Sequence, residues 1–481
     1  MQLRWYKTLR CGDMQGKNVE NGMVMIGRRQ RIHMVGIAGA GMNPVAELLH
    51  TLGYVVTGSD RQKSGVSKRL ESLGIAIQYD HTPDLILDSD IVVYSSAVRR
   101  DNLERVFAES HGKILMRRAE MLGDLMRMQP TICVSGTHGK TTTTLLTGMI
   151  MHNAGLHPTV LVGGALREGG SHAIIDNGNL MVAEADEYDR SFLAMYPTVA
   201  IITNIDADHL DCYRDIDDIK SAFAAFTTRV PFFGSVIACI DDAGVREVIS
   251  GIKADVITYS IDREADYRAI NVEFIDGFAR FDILEHGKKA AEGFRLAIPG
   301  LHNVRNALAA FSAARLFGVD TGTVEKTLLE FRGVKRRFEV VGTVGGITVV
   351  DDYAHHPREI QATIEAARQI GCKRVVAIFQ PHLFSRTRDF LDDFAEVLTT
   401  ADVVCVTDIY RSREEPIPGV TAMNIVDRIN SSGHENVHFV ADCADLTPFL
   451  LPLARSGDCL LFMGAGDIGV CAYKMVEAIN G

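Results

Sequence analysis

Residues 135–142 read S-G-T-H-G-K-T-T, directly after the apolar run Thr131–Val134 and at the head of the helix-forming stretch TTTTLLTGMI. A strand that turns through glycines into a helix aims backbone N–H groups and the positive end of a helix dipole at one point. That arrangement binds phosphate. Gly136 and Gly139 allow the tight turn, Lys140 neutralises the β- and γ-phosphates of ATP, and the Thr141 hydroxyl reaches the Mg2+ that accompanies it. Two residues, Thr137 and His138, separate the glycines, where the common Walker loop has four, so a different nucleotide-binding family is implied.

Such a loop needs a parallel sheet behind it, and the rest of the chain supplies the pattern. IHMVGI from Ile32 reads as a buried strand, MNPVAELLHTL as a helix with Pro44 in its first turn, and YVVTG as another strand, which makes a βαβ unit. DIVVYSSA and TICVSG are further short apolar runs between helical stretches, so the class is α/β with mostly parallel sheets. At 481 residues the chain exceeds one ordinary core, and 47% hydrophobic against 23% charged residues is the balance of a folding sequence. The helix ending at Pro130 and the change of pattern near Gly333 place domains at 31–128, 129–334 and 335–481. Residues 1–30 read as a poorly ordered N-terminal extension.

A net charge of -11 disfavours non-specific binding to nucleic acid or anionic membrane, so an anionic substrate must be met by a local site. The nine cysteines are scattered with no C-x-x-C pair, which argues against a zinc site or a disulfide framework and fits reduced thiols in the cytoplasm. Every apolar run breaks before the roughly 18 residues of a membrane span.

Two acidic runs follow strands that should flank the phosphate loop. LMVAEADEYD ends in Glu184, Asp186, Glu187 and Asp189, and TVAIITNIDADHLD ends in Asp206, Asp208, His209 and Asp211. Each alone reads as a solvated loop; together, beyond strand ends, a carboxylate and an imidazole can complete a metal shell around ATP. G-I-A-G-A-G-M at 36–42, with Asp60 downstream, resembles a dinucleotide fingerprint that suits NAD, a UDP-sugar or a merely structural turn. PGLHNVRNALAA offers His302, Asn303 and Asn306 at a helix start, where Asn303 is either a cap or a ligand. GVKRRFE offers Arg336 and Arg337 as phosphate clamps. DDYAHHP at 351–357 puts paired aspartates, a tyrosine and two histidines after the apolar ITVV, a costly set unless ligands satisfy it, although His356 before Pro357 also suits a turn.

Taken in order, GIAGAGM, SSA, RRAEM, GTHGKTTTT, EADE, TNIDADHLD, PGLHNVRNALAA, GVKRRFE, DDYAHHP, QPHLFSRTRDF, DIYRSREEPIPGV and GAGDI resemble the Mur ligases of bacterial cell-wall synthesis, most closely their alanine-adding branch. The resemblance runs from about Arg31 to the end and implies three domains. These are a Rossmann-like N-terminal domain holding a UDP-sugar, a P-loop-type ATPase domain, and a Rossmann-like C-terminal domain that closes over both. It assigns Gly39, Ala40, Gly41, Asp60 and Ser96 to the UDP-sugar. Gly136, Thr137, His138, Gly139, Lys140, Thr141, Thr142, His302, Asn303, Asn306, Arg337, Asp351 and Asp352 fall to ATP, and Thr141, Glu184 and His209 to the metal. Tyr353, His355 and Arg386 fall to the amino acid, with Lys140, His209, Arg336 and His355 as catalytic groups. Departures from the family pattern are Leu383 in QPHLFSR where an arginine is usual, Tyr188 in EADEYD for a serine, His172 before Ala173 for an asparagine, and Ala38 for a glycine.

The implied reaction joins L-alanine to the carboxylate of UDP-N-acetylmuramate through an acyl phosphate, with ATP and Mg2+, in a cytoplasmic monomer or homodimer that neither binds nucleic acid nor enters a membrane. Two other readings stay open: a recycling ligase that attaches a ready-made tripeptide to the same sugar, and an NAD-dependent oxidoreductase or regulatory nucleotide-binding module built on the first Gly-rich loop.

Overall fold

The structure, a computed structural model, describes residues 30–163, 173–209, 212–275, 277–412 and 414–481. The expected N-terminal extension, apart from residue 30, lies outside the described residues, as do Asp211 and His172. Three sheets of five, ten and six strands form.

In the first, five parallel strands lie in the spatial order Ala76–Gln78, Val55–Ser59, Arg31–Val35, Ile91–Tyr94, Ile114–Arg117. Strand order reverses beside Arg31–Val35, so the crevice beyond its carboxyl end falls at the Gly-rich turn. Pro44 opens the helix Asn43–Thr51, where a missing N–H costs nothing. Gly58 has no room for a side chain against Ile37 and the Met34 carbonyl, which fixes how closely this turn packs on the sheet.

The central strand of the second sheet, Thr131–Ser135, is buried throughout and lies parallel between Met181–Glu184 and Val199–Ile202. Covered on both faces, it reads as an unbroken apolar run rather than an alternation. Its loop feeds the helix Lys140–Asn153, which packs on Leu301–Leu316. One edge departs from the expected alternation of strands and helices. Tyr267–Ile275, Phe278–Glu285 and Lys288–Leu296 form an antiparallel meander. Gly277 and Gly287, at φ 80° and 74°, make its turns, and burial alternates along Tyr267–Ile275 as expected for one wet face.

The third sheet sets Ile347–Asp352, Asp458–Met463, Arg374–Phe379, Val403–Val406 and Val437–Phe439 in parallel, with Glu339–Val344 antiparallel at the edge. The whole is the three-part, mostly parallel α/β architecture expected. Among the described residues no helix is long and apolar enough to cross a membrane.

The helix Arg118–Met126 links the first sheet to the second, and Gly123 lets it lie against the Ala194 carbonyl, where a Cβ would overlap the oxygen. Gly123→Ala is therefore expected to destabilise the chain by about 1–3 kcal/mol despite its better helix propensity. Denaturant unfolding beside the parent measures the difference.

Candidate active site

The phosphate loop is locked from one side by the segment that follows Val199–Ile202. The His138 N–H donates to Asn204 Oδ1 at 2.8 Å, the Thr203 hydroxyl and the Asn204 amide donate to the His138 carbonyl at 2.6 and 3.0 Å, and the Asp206 N–H donates to Thr137 Oγ1 at 2.9 Å. Gly136 at φ 135° backs onto Thr203 Oγ1 and Gly139 at φ 83° onto Asn306 Oδ1, each too close for a Cβ. The acidic run thus doubles as scaffold. Thr142 is buried in the first turn of the helix below.

Lys140 folds back over the loop. Its ammonium donates to the Gly136 carbonyl at 2.7 Å and to Glu187 Oε2 at 2.7 Å, with Asp186 at 3.8 Å. Burial works against its charge, but Glu187 and Asp186 hold it protonated well above the ordinary lysine range. Beside it the Thr141 hydroxyl donates to Glu184, both carboxylate oxygens lying at 3.1 Å, and Glu184 also accepts the Gly163 N–H at 2.8 Å. Burial raises Glu184 above the usual carboxylate range against the pull of Lys140.

His209, in a left-handed backbone conformation at φ 55°, brings Nε2 to 3.5 Å from Glu187 Oε1. Burial opposes its charge, yet Glu187 and Asp208 raise its pKa. Asp186, Glu187 and His209 place donor atoms within 4.8 Å of one another, as a metal shell requires. The expected metal residues are therefore distributed: Thr141 meets Glu184, and His209 meets Glu187 and Asp186.

The C-terminal domain reaches the same loop through Glu359, which is partly buried and which the sequence reading did not name. His138 Nδ1 lies 3.1 Å from Glu359 Oε1 and Nε2 lies 3.5 Å from Asp206 Oδ2. Burial alone would lower the His138 pKa; Asp206 and Glu359 push it up to about 9. Glu359 also accepts the His355 N–H at 3.0 Å and faces Arg337 Nη1 at 3.5 Å. It lies in the first turn of the helix Pro357–Gln369, one charge among several there, and nothing local marks it out. His356 is indeed the N-cap of that helix, but its ring is also buried, 5.0 Å from His138.

Arg336 and Arg337 diverge. Both guanidinium groups lie over the Tyr353 ring, but Arg336 pairs with Asp351 at 3.4 Å and donates to the Gly464 carbonyl at 2.6 Å, whereas Arg337 turns to Glu359. Asp352 accepts the Phe338 and Ala354 N–H groups, both at 2.7 Å, and burial pushes its carboxyl up to about 6. The Tyr353 and His355 rings meet edge-on. Arg386 donates to Asp208 Oδ1 at 2.6 Å, a buried bridge from the last domain to the loop that carries His209. Asn303 is not the cap of its helix, which begins after Gly300. Its amide donates to the Pro299 carbonyl and its oxygen accepts from Asn306. Burial, with Arg305 and Arg337 nearby, drops His302 to about 4, so its imidazole is neutral at pH 7.

At the first Gly-rich turn, Asp60 accepts the Ala38 N–H at 2.9 Å and the Arg61 N–H at 2.8 Å, so its carboxylate closes the turn itself. Gly39 bonds back to the Gly36 carbonyl, Ala40 is exposed, and Gly41 lies under the Arg118 guanidinium with no room for a Cβ. Ser96 is exposed beyond the neighbouring strand Ile91–Tyr94. Arg118, a cation poised over this turn, was present in the R-R-A-E-M stretch but not singled out.

Residues 31–130 match the model of the Mur ligase family catalytic domain, 134–314 the Mur ligase middle domain, and 336–466 the Mur ligase glutamate ligase domain. A UDP-N-acetylmuramate–L-alanine ligase of Salinibacter ruber is 46% identical over 457 residues, covering 95% of this chain and 96% of that protein. The chain belongs to the Mur ligase family. A second UDP-N-acetylmuramate–L-alanine ligase, of Sorangium cellulosum, is 44% identical across 92% of this chain and 95% of that one. Among solved structures, a UDP-N-acetylmuramate-alanine ligase from Thermotoga maritima superposes with a TM-score of 0.78 at 31% identity, covering 94% of this chain and 99% of that one. A murein peptide ligase from Psychrobacter arcticus gives 0.68 at 26% identity, with 94% and 99% covered.

In this Mur ligase His138 and Glu359 join two domains at the phosphate loop, and two outcomes are expected. Glu359→Gln removes the charge that His138, His355 and Arg337 share and should lower kcat/KM about 10- to 100-fold without unfolding, as steady-state ADP release and circular dichroism check. A histidine whose folded pKa is raised stabilises below its unfolded value of about 6.5 and loses that contribution as pH rises. The His138 contribution should thus disappear as pH climbs through about 9. Thermal unfolding at pH 7 and 9.5 should show a smaller decline in His138→Gln than in the parent.

Proposed function

We propose that this Mur ligase is an ATP-dependent UDP-N-acetylmuramate:L-alanine ligase of peptidoglycan precursor synthesis. The observation that carries the reading is Lys140, Thr141 and Glu184 at the carboxyl edge of a parallel sheet, with Glu359 of the last domain on His138 of the same loop and Arg337 and His355 gathered around Glu359. Full-length relatives bearing that name support the choice of substrates.

The donor set suits Mg2+. Carboxylates, a threonine hydroxyl and one imidazole surround the lysine, and the buried Glu187 Oε1 lacks a hydrogen-bond partner. Thr141, Glu184 and His209 would hold the ion. When bound, it offsets phosphate charge and aligns the γ-phosphate with the incoming carboxylate.

The chain supplies the rest. N–H groups of Gly139–Thr142 at the helix start cradle the phosphates without adding net charge, and Lys140 exchanges Glu187 for the developing charge between the β- and γ-phosphates. Neutral His302 with Asn303 and Asn306 forms the adenine side. The muramate carboxylate attacks the γ-phosphate, giving an acyl phosphate and ADP; the alanine amine then attacks the acyl carbon and phosphate leaves. Tyr353, His355 and Arg386 orient the amino acid, and closure of the last domain excludes the water that would hydrolyse the intermediate. Gly39, Ala40, Gly41 and Ser96 hold the UDP-sugar, with Asp60 shaping the turn and Arg118 supplying a diphosphate contact.

Leu383 keeps the recycling reaction as a second reading, because a buried leucine stands where the alanine-adding enzymes have an arginine. ADP release with UDP-N-acetylmuramate should follow added L-alanine and not L-alanyl-γ-D-glutamyl-meso-diaminopimelate; the reverse preference assigns the chain to recycling. Lys140→Ala should cut ADP release by about a thousandfold, and near-parental turnover would remove the lysine from phosphate chemistry.

A further inference from the structure

At the opposite end of the helix Lys140–Asn153 from the phosphate loop stands a second group of metal-ligating side chains. His152 lies in the last turn, His157 in the loop that follows, and Asp176 just after the short strand Ala173–Ile174. Nδ1 of His152 is 3.2 Å and Nδ1 of His157 3.0 Å from the same carboxylate oxygen, Asp176 Oδ2. The two rings meet edge-on with centroids 5.3 Å apart.

Three features set this group apart from an ordinary surface hydrogen bond. Donors on a tetrahedral zinc ion with bonds of about 2.0–2.1 Å sit about 3.3 Å from one another, close to the observed nitrogen–oxygen spacings. The backbone bends at the cluster: His157 adopts φ 47°, uncommon for a residue with a side chain. That bend is pinned by the Gly178 N–H donating to the His157 carbonyl at 2.8 Å, and Gly178 has no space for a Cβ beneath the Leu156 and His157 carbonyls. The cluster also sits at the negative end of the helix dipole, which favours a cation. Side-chain exposures of 46%, 54% and 26% leave it open to an ion from solution. A helix of 14 residues separates it from Lys140 by about 20 Å.

We propose that His152, His157 and Asp176 form a binding site for a divalent transition-metal ion, zinc by its acceptance of a tetrahedral two-histidine, one-carboxylate set, separate from the metal that accompanies ATP. Water completes the shell. The ion ties the end of the phosphate-loop helix to the loop and strand that follow, so its effect is on stability rather than on turnover.

Tag-free full-length chain, stripped with EDTA, is titrated with Zn2+ by calorimetry and with Co2+ by visible absorption, beside His152→Ala/His157→Asn. Asparagine tolerates the left-handed backbone at 157. Because Asp186, Glu187 and His209 can also take an ion, the difference between parent and variant is what decides. The parent should bind about one equivalent of Zn2+ more, and its Co2+ form should carry intense tetrahedral bands that the variant lacks, while Mg2+-supported ADP release is equal in both. Equal stoichiometry and affinity, or the same Co2+ spectrum in both, overturns the site. Should the double variant misfold, Asp176→Asn gives the same reading: retention of the tetrahedral spectrum overturns the proposal and its loss supports it.

Discussion

The buried ammonium of Lys140 sets the terms for everything around it. A charge removed from water costs several kcal/mol unless partners compensate, and here the partners are Glu187 and the carbonyls of the loop itself. Glu187 can reach the lysine because Met181–Glu184 lies immediately beside the phosphate-loop strand, and that register also sets Glu184 on Thr141. The other flank, Val199–Ile202, delivers Thr203, Asn204 and Asp206 to the loop backbone. The strand order of the middle sheet is thus what converts a Gly-rich turn into a site with defined charges.

The three domains are joined by different physics. One apolar cluster runs from Ile32 through Met126 into Cys133, Phe192 and Val248, so the first two domains share a continuous core. The clusters of the last domain begin at Phe338 and stay within it. Its contacts with the phosphate-loop region are ionic: Glu359 with His138, Arg386 with Asp208, and Arg358 with Asp206 at 2.9 Å. When domains part, water can solvate both members of such pairs, whereas it has no comparable compensation for an exposed apolar core. The seam with the last domain is therefore the one that can part without exposing a shared core, and its ion pairs lie at the loop where a nucleotide and its metal would bind.

Much of this was legible before any coordinates. The strand–loop–helix at 131–153, the βαβ unit at the start and the acidic strand ends follow from local rules that tertiary context did not override. The meander at 267–296 was missed because its alternation is interrupted by register shifts near Ile270 and Phe281. Site residues that depend on distant packing were missed for a different reason. Glu359 sits in a run of charges on an amphipathic helix, and nothing local distinguishes it from Glu365, which stays near the surface paired with Gln361. Asp60 had the spacing of a ribose ligand, yet its carboxylate is used on the turn, because a short acid beside a Gly-rich loop can satisfy its own backbone.

A site for a polyanionic nucleotide lined by Glu184, Asp186, Glu187, Asp206, Asp208 and Glu359 looks self-defeating until the roles of the charges are separated. In the proposed reaction, recognition of phosphate falls to loop N–H groups and the helix dipole, which carry no net charge and so do not need a counter-ion when the nucleotide leaves. The carboxylates instead hold cations in place: Lys140 by Glu187, His138 by Glu359 and Asp206, Arg386 by Asp208. Asp208 and Glu359, despite burial, are held well below the usual carboxylate range by Arg386 and by neighbouring histidines. Glu184 is different, because burial lifts it above that range despite the pull of Lys140, and its hydrogen bonds come from a hydroxyl and a backbone N–H. Among these acids it therefore has the most to gain from a divalent ion, and its position against Thr141 puts that gain where the triphosphate would lie.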